Sequence, residues 1–532
     1  MLYTNHFSVR RTPQSQPIPG READMVQNSA GGYVFPVDDW KRLERFLVLG
    51  SEGGTYYTKE SKLTVENAQA VVRCLKADGM RVVKTILEIS EAGRAFKQNP
   101  ALFALAMAFS PDFADPDTRR MAKTVMPRIA RTGFHLFTLA EYVKHFRGWG
   151  RAWREAVVNW YNKKPISTLA YQVVKYRQRG GWSHRDLLRL SHPKPATPEH
   201  DSLYHWITQG EAKGSLPRIV EGFVKAQEAN NPKEVAVLVR EYGLTREMIP
   251  TKLLAEPVVW EALLERVPMT ALIRNLGNLS RIGLLTDACP EVVQKVYTKV
   301  TDPDALRRAR VHPMSILMAL KTYESGKGVR GKNTWNPVGR VVDALDTAFY
   351  LAFANVEPTG KHILLAIDAS GSMDYSISGI PNLSCREAAL AMALVLAKTE
   401  QNYTILAYTH GSNVRTLPIT PRQRLDDAIR ALHRYIRAEG TDCALPLLWA
   451  IRSKAKVDAF VILTDNETWA GRMHPVQALQ EYRRKMGIPA KLVVVGMVSN
   501  GFSIADPNDS GTLDVVGFDA SVPQVISDFI RS

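Results

Sequence analysis

The chain has 532 residues, 45% of them hydrophobic and 23% charged, with a formal net charge of +16. No apolar run approaches the roughly 18 residues that a membrane span needs. The four well-separated cysteines, Cys74, Cys289, Cys385 and Cys443, exclude both a disulfide framework and a CxxC zinc half-site. Residues 351–532 hold 18 basic and 18 acidic side chains, whereas residues 1–350 hold 51 and 35. The first two-thirds therefore carry the entire excess, which points that part toward a polyanion and leaves the last third for something else.

In chain order, the leader MLYTNHFSVRRTPQSQPIPGREAD is polar and lacks the apolar core of a signal peptide, so a cytoplasmic protein is expected. A long series of short amphipathic segments follows, among them ALFALAMAFS, TRRMAKTVMPRIA, RAWREAVVNWYN, TLAYQVVKYRQR, RIVEGFVKAQEA, EVAVLVREYG, VVWEALLERV and MTALIRNLG. Turn residues separate them, as in PDFADPD and NNPKE. Helix–turn–helix pairs of this kind suit an α-solenoid, in which each pair buries its apolar face on its neighbours. The repeat is irregular, so an irregular helical bundle stays open. KTYESGKGVRGKNTWNP, from Lys321 to Pro337, is the candidate linker.

Within the helical series, Lys144 to Lys194 holds twelve Lys and Arg against two acids, Glu155 and Asp186. Trp149, Trp153, Trp160, Tyr161, Tyr176 and Trp182 are interleaved with them. Cations neutralise phosphates and aromatic faces can stack unpaired bases. Trp153 and Trp160, seven apart, read instead as the core stripe of one helix. Lys175 and Arg179 are four apart and would share a helical face. Arg185 and Arg189 lie on RDLLRLS, which His184 and His192 flank.

The last third alternates. KHILLAID, YTILAYTH, DAFVILTD and KLVVVGM read as strands, and SCREAALAMALVLAKTE, PRQRLDDAIRALHRYI, HPVQALQEYRRKMG and VPQVISDFIRS as helices. This is the pattern of a doubly wound parallel sheet, whose ligands sit at the carboxyl ends of the strands. LLAIDASGSMDYS ends a strand in Asp368, Ser370 and Ser372, a DxSxS loop of hard oxygen donors. Mg²⁺ takes about six such ligands, some of them water. Thr441, in AEGTDC, and Asp465, in VILTDNE, stand where neighbouring strand ends could add to the set. A lone DxSxS could equally be a helix N-cap; five positions in order at strand ends are a stronger signal. Two carboxylates and three hydroxyls are fewer charges than a two-metal nuclease uses, and no histidine stands out as a general base, so binding without catalysis is expected. His410 and His474 read as surface residues on the same rim.

The DxSxS…T…D order resembles the metal-ion-dependent adhesion site of von Willebrand factor A domains. That resemblance implies Mg²⁺ or Mn²⁺ held by Asp368, Ser370, Ser372 and Thr441, with Asp465 in the outer shell and an acidic group of a partner as a further ligand. LGSEGGTYYTKESKLTVENA, KYRQRGGWSHRDLLRLSHPKP, MTALIRNLG, ARVHPMSILMALKTYESGKGVRGK and FVILTDNETWAG, in that order, are similar to the Ro autoantigen family, from about Gly31 to the C-terminus. Members of that family join a TROVE module to a von Willebrand A-like domain.

The resemblance implies an α-helical ring of HEAT-like repeats over residues 1–355 and an α/β doubly wound domain over residues 356–532. It implies small noncoding Y-like RNAs on the outer surface, with Lys175, Arg179 and His192 at matching positions and Arg185 and Arg189 beside them. It also implies that single-stranded 3′ ends of misfolded structured RNAs enter a central hole, in RNA quality control, maturation or decay alongside exoribonucleases. A metal-dependent protein-adhesion scaffold, with the basic charge incidental, is the alternative, and a Mg²⁺-dependent ribonuclease is the third reading.

Overall fold

A computed structural model describes residues 11–329, 333–353, 356–380, 382–420, 422–434 and 440–532. The chain divides into two compact units: Val71–Leu351, and Met1–Ala70 together with Ala352–Ser532. Charge divides with them. Residues 71–351 hold 43 Lys and Arg against 27 Asp and Glu, and the other unit holds 26 of each. The whole net charge of +16 belongs to the first.

Residues 71–351 are helical apart from one two-residue hairpin, among the described residues. Helices start where side-chain oxygens can take the orphan N–H groups of a first turn. Asp115 accepts from the amides of Asp117 and Thr118 ahead of Pro116–Ile129, Thr132 from His135 ahead of Gly133–Phe146, and Ser183 forms a capping box with Asp186 ahead of His184–Ser191. Each helix packs mainly on helices near it in sequence, which is the behaviour of a repeat array. The two ends of the series also meet. Arg310 donates to the Glu91 carbonyl at 2.8 Å, His312 Nε2 lies 3.2 Å from the Arg94 carbonyl, and the Phe96 ring sets edge-on against His312. An open solenoid would not show such contacts.

The expected linker from Lys321 to Pro337, of which residues 330–332 lie outside the described residues, is not a free connection. Trp335 donates from Nε1 to the Tyr323 carbonyl at 2.9 Å and stacks near the Tyr323 ring. It lies so close to the helix Met269–Arg281 that a Cβ on Gly277 would sit 2.7 Å from the indole. The helix Gly339–Leu351 then packs on Pro290–Val300 and Pro313–Glu324, so it belongs to the helical unit and is its last helix.

In the other unit a six-stranded sheet runs in the order Thr512–Val516, Lys491–Gly496, Ala459–Thr464, His362–Asp368, Asn402–Tyr408, Val414–Thr416. All pairs are parallel except the last. The strands His362–Asp368 and Ala459–Thr464 are almost wholly buried, as parallel strands with both faces covered must be. They are also neighbours at the point where the strand order reverses, the place where doubly wound sheets bind ligands. The edge strands Val414–Thr416 and Thr512–Val516 are short and carry polar residues, so they escaped the sequence pattern.

The expected boundary between residues 355 and 356 also differs from the structure at the N-terminus, because residues before Ala70 belong with the sheet. Tyr33–Pro36 pairs antiparallel with Phe502–Ser503, and Val34 packs into the core beside Leu364, Phe460 and Leu492. The Arg45 side chain, 0% exposed, donates to the Asn500 and Phe502 carbonyls and to Asp514. A buried guanidinium needs such partners, and sequence patterning has no means of announcing them. Gly277→Ala tests the Trp335 contact. Helix propensity alone favours alanine by about 1 kcal/mol; overpacking against the indole costs about 1–3 kcal/mol. Thermal and urea unfolding are expected to show a less stable protein.

Candidate metal centre and nucleic-acid interface

Asp368 is the last residue of its strand, and the chain turns at once into the short helical turn Gly371–Asp374. The turn folds the loop oxygens back on one another. Asp368 Oδ1 accepts from the Ser370 amide at 3.0 Å, and Ser370 Oγ lies 3.2 Å from Ser372 Oγ. Thr464, at the end of the adjacent strand, donates its hydroxyl to Asp368 Oδ2 at 2.6 Å. Asp465 follows directly and is hydrogen-bonded with Ser372. Thr441 stands on the neighbouring loop, where its carbonyl accepts from the Trp469 and Ala470 amides at 3.0 Å. The structure thus brings Asp368, Ser370, Ser372 and Asp465 into contact and places Thr441 on a loop bonded to the Asp465 loop. All five are at most 5% exposed.

Their electrostatics is unfavourable without a cation. Burial pushes the Asp368 carboxyl up against the lowering pull of Ser370 and Thr464. Burial and the neighbouring Asp368 charge push Asp465 up to about 7, and burial and Asp465 push Glu467 up to about 8. Arg386, 1% exposed, is the nearby cation. It donates to the Ser370 carbonyl at 2.8 Å and pairs with Asp374 at 2.9 Å. Two carboxylates and three hydroxyls packed on hard oxygen chemistry fit a divalent cation such as Mg²⁺ or Mn²⁺. Among the described residues no three His, Cys, Asp or Glu side chains form a metal cluster; an ion held here would take hydroxyls into its donor set.

Several neighbours were not legible in sequence. Thr464 and Arg386 had no motif signal. Glu467 is no incidental strand-end acid: it is 1% exposed and accepts from the Ala30 amide at 3.1 Å. His474, read as a surface residue, is 1% exposed. It opens the helix Pro475–Met486 and bonds through Nε2 to the Gln16 carbonyl at 2.8 Å. Cys385 and Cys443 are buried thiols whose pKa burial raises.

On the helical unit the basic stretch folds as helix, hairpin, helix. Ile166–Lys175 ends at Lys175, so Arg179 does not share its face. Instead Arg179 sits on a hairpin in which Gln178–Arg179 pairs with Trp182–Ser183. Gly180 and Gly181 take φ of +56° and +82°, the two positive values that a two-residue type I′ turn requires and that L side chains resist. Arg179 is exposed and lies over the Phe134 ring. Lys175 is half-buried between Tyr171 and Tyr176, donates to Tyr171 Oη at 2.9 Å, and feels Glu247 electrostatically without forming an ion pair with it. Arg185 and Arg189 are exposed one turn apart on His184–Ser191, and His192 is exposed at its left-handed C-cap.

Neither acid of the stretch forms an ion pair with Lys175, Arg179, Arg185 or Arg189. Glu155 pairs with Lys123 and Arg151, and Asp186 serves the capping box. The rings differ from a base-stacking platform. Trp153, Trp160 and Tyr161 are 0% exposed, Trp182 is 9% exposed, and Trp149 stacks on Trp182. They form a core and a set of pedestals: Lys164 lies over Trp160 and Lys144 over Trp182, contacts worth about 0.5–1 kcal/mol each at exposed sites.

Two family models match the chain. One, for the TROVE domain, covers residues 26–231 and 241–322, and one, for the Ro60 vWA domain, covers residues 362–530. The chain is 42% identical over 525 residues to the RNA-binding protein RO60 of Deinococcus radiodurans, covering 98% of this chain and 97% of that one. It is 34% identical to the RNA-binding protein RO60 of Caenorhabditis elegans, covering 95% and 90%. The crystal structure of the Deinococcus radiodurans Ro protein superposes with a TM-score of 0.70 at 41% identity, over 93% of this chain and 99% of that one.

Beneath the basic segment, burial pushes His184 down to about 3, and burial and then Arg131 push His135 down to about 4. Both stay neutral in the folded chain and protonate near pH 6.5 when unfolded. Their contribution to stability is therefore complete above about pH 6.5 and falls with acidification, by about 1.4 kcal/mol per pH unit for each histidine. Urea unfolding between pH 7.5 and 4.5 is expected to show the His184 share of this slope as the difference between the starting protein and His184→Asn, since the buried carboxyls titrate alike in both.

Proposed function

The chain belongs to the Ro family, and we propose that it is an RNA-binding protein whose helical unit holds small noncoding Y-like RNAs on its outer surface. The observation that carries this is the segregation of charge. The entire excess of +16 lies on residues 71–351, and Arg179, Arg185, Arg189 and His192 are exposed on one continuous segment whose two acids bond to other groups than these four. Released counterions then supply most of the affinity. The shape of the Gly180–Gly181 hairpin favours a backbone-reading surface, because its flanking rings are buried and phosphates meet cations first.

In this reading single-stranded 3′ ends of misfolded structured RNAs enter a central hole, and the protein acts in RNA quality control, maturation or decay beside exoribonucleases in the cytoplasm. The contacts that Arg310 and His312, just ahead of the helix Pro313–Glu324, make with Glu91 and Arg94 near the start of the unit support a closed series. Among the described residues no helix is long and apolar enough to cross a membrane. The protein binds RNA without cleaving it: the second unit offers two carboxylates and hydroxyls, too little charge for a two-metal displacement.

The same unit would hold Mg²⁺ or Mn²⁺ through Asp368, Ser370, Ser372 and Thr441, with Asp465 behind them. When bound, the ion supplies an open coordination position for an acidic group of a partner. Its charge also relieves the mutual repulsion of Asp368 and Asp465.

RNA binding titrated against salt tests the first claim. Lys175→Ala with Arg179→Ala is expected to weaken binding to a structured noncoding RNA by roughly tenfold or more, and to flatten the log–log salt slope by about 1.5–2. Unchanged affinity and slope would refute the assignment. Asp368→Ala is expected to abolish stoichiometric Mn²⁺ binding with circular dichroism and RNA affinity retained. Labelled RNA incubated with the protein and Mg²⁺ is expected to keep its length.

A further inference from the structure

We propose that the N-terminal segment from Gln14 to Asn28 is a working part of the metal centre, a strap that holds its two distal ligand loops at a fixed spacing. The inference rests on the metal reading above. One loop carries Thr441 and Asp442. The other runs from Asp465 to Met473. The first precedes the helix Leu445–Ser453 and the second follows the strand Ala459–Thr464, and they hydrogen-bond directly where the Thr441 carbonyl accepts from the Thr468 hydroxyl and the Trp469 and Ala470 amides and where Thr468 accepts from the Cys443 amide.

Gln14 joins them. Its side chain is 0% exposed. A primary amide has two donors and two acceptor positions, and here all four are used across both loops. Nε2 donates to Asp442 Oδ1 at 2.7 Å and to the Met473 carbonyl at 2.8 Å. Oε1 accepts from Thr468 Oγ1 at 2.6 Å and from the Gly471 amide at 3.2 Å. The backbone of Gln14 continues the bridge, donating to the Gly471 carbonyl at 2.9 Å and accepting from the Tyr33 amide at 2.7 Å. The packing leaves no slack: a Cβ on Gly471 would sit 2.3 Å from Gln14 Nε2.

Asn28 repeats the device on the Asp465 loop. Its Nδ2 donates to the Thr468 carbonyl at 2.8 Å, while Oδ1 accepts from the Gly32 and Ala30 amides and keeps that turn in shape. The Ala30 amide in turn donates to Glu467 Oε2 at 3.1 Å. The strap is moored away from the centre, where Arg21 makes a buried bidentate pair with Asp506. Gln14 and Asn28 touch no ligand oxygen that is expected on the ion. They are positioning residues, and their effect should appear as metal affinity, because outer contacts that orient ligands typically change it by about 10–100-fold.

The test uses Mn²⁺ alone as the probe, titrated into the full chain and followed by electron paramagnetic resonance of the free ion. Gln14→Met keeps the volume and removes all four bonds; Asn28→Ala removes the second tie. Tyr482→Phe is the control, deleting a buried hydroxyl that accepts from the Val457 amide and donates to the Ala455 carbonyl elsewhere in the same unit. Gln14→Met and Asn28→Ala are each expected to weaken Mn²⁺ binding by about tenfold or more, at 15 °C where circular dichroism shows all variants folded. Tyr482→Phe should lower Tm and leave the Mn²⁺ affinity within about twofold of the starting protein. Equal weakening in Tyr482→Phe would mean that affinity merely follows stability, and would overturn the proposal. Wild-type affinity in Gln14→Met would overturn it while leaving the metal reading intact. A wild-type chain that takes up no Mn²⁺ would overturn both.

Discussion

Two carboxylates, Asp368 and Asp465, are buried together at the carboxyl ends of adjacent parallel strands, and much of the sheet unit is arranged around them. Burying like charges is costly unless something compensates. Thr464 and the Ser370 amide donate to Asp368, Ser372 bonds with Asp465, and Arg386 reaches the loop from behind. These contacts shape the site without neutralising it. A divalent ion would meet the remaining demand with a geometry that hard oxygen donors on two strand ends already suit.

The helical unit differs: it carries the whole net positive charge of the chain, and Arg179, Arg185 and Arg189 are exposed on it. Aromatic rings contribute by lying under the cations: Phe134 under Arg179, Tyr171 and Tyr176 around Lys175, Trp160 under Lys164. A ring face attracts a cation but leaves its N–H groups available to phosphate. Glu155 and Asp186 spend their charge on neighbours that hold the helices in place. The basic unit and the unit that buries Asp368 and Asp465 thus have different electrostatics, and they form two compact units of the chain.

Several features were readable from residues alone. The alternation of apolar strands and helices in the last third identified a doubly wound sheet, since such runs have few other solutions. The DxSxS loop and Asp465 followed from their places at strand ends. Trp153 and Trp160, seven apart, were legible as a core stripe. Where local pattern failed, a specific contact explains it. Arg179 left the helix because Gly180 and Gly181 favour a hairpin. The expected linker is held by Trp335 against Gly277. His474 is buried because its helix begins beneath the N-terminal segment.

The sequence by itself determined where the charge and the oxygen donors stand: the excess of lysine and arginine before residue 351, and the five oxygen-bearing residues after it. Short-range periodicity and motif order encode those, because they depend on residues close in the chain. Only the tertiary structure decided that the first seventy residues join the sheet, and that Gln14 lies against Asp442 and Thr468, more than 400 residues away. Such pairings arise when a buried amide or guanidinium must find every partner it needs. That requirement acts in space, and nothing in the local order of residues announces where it will be met.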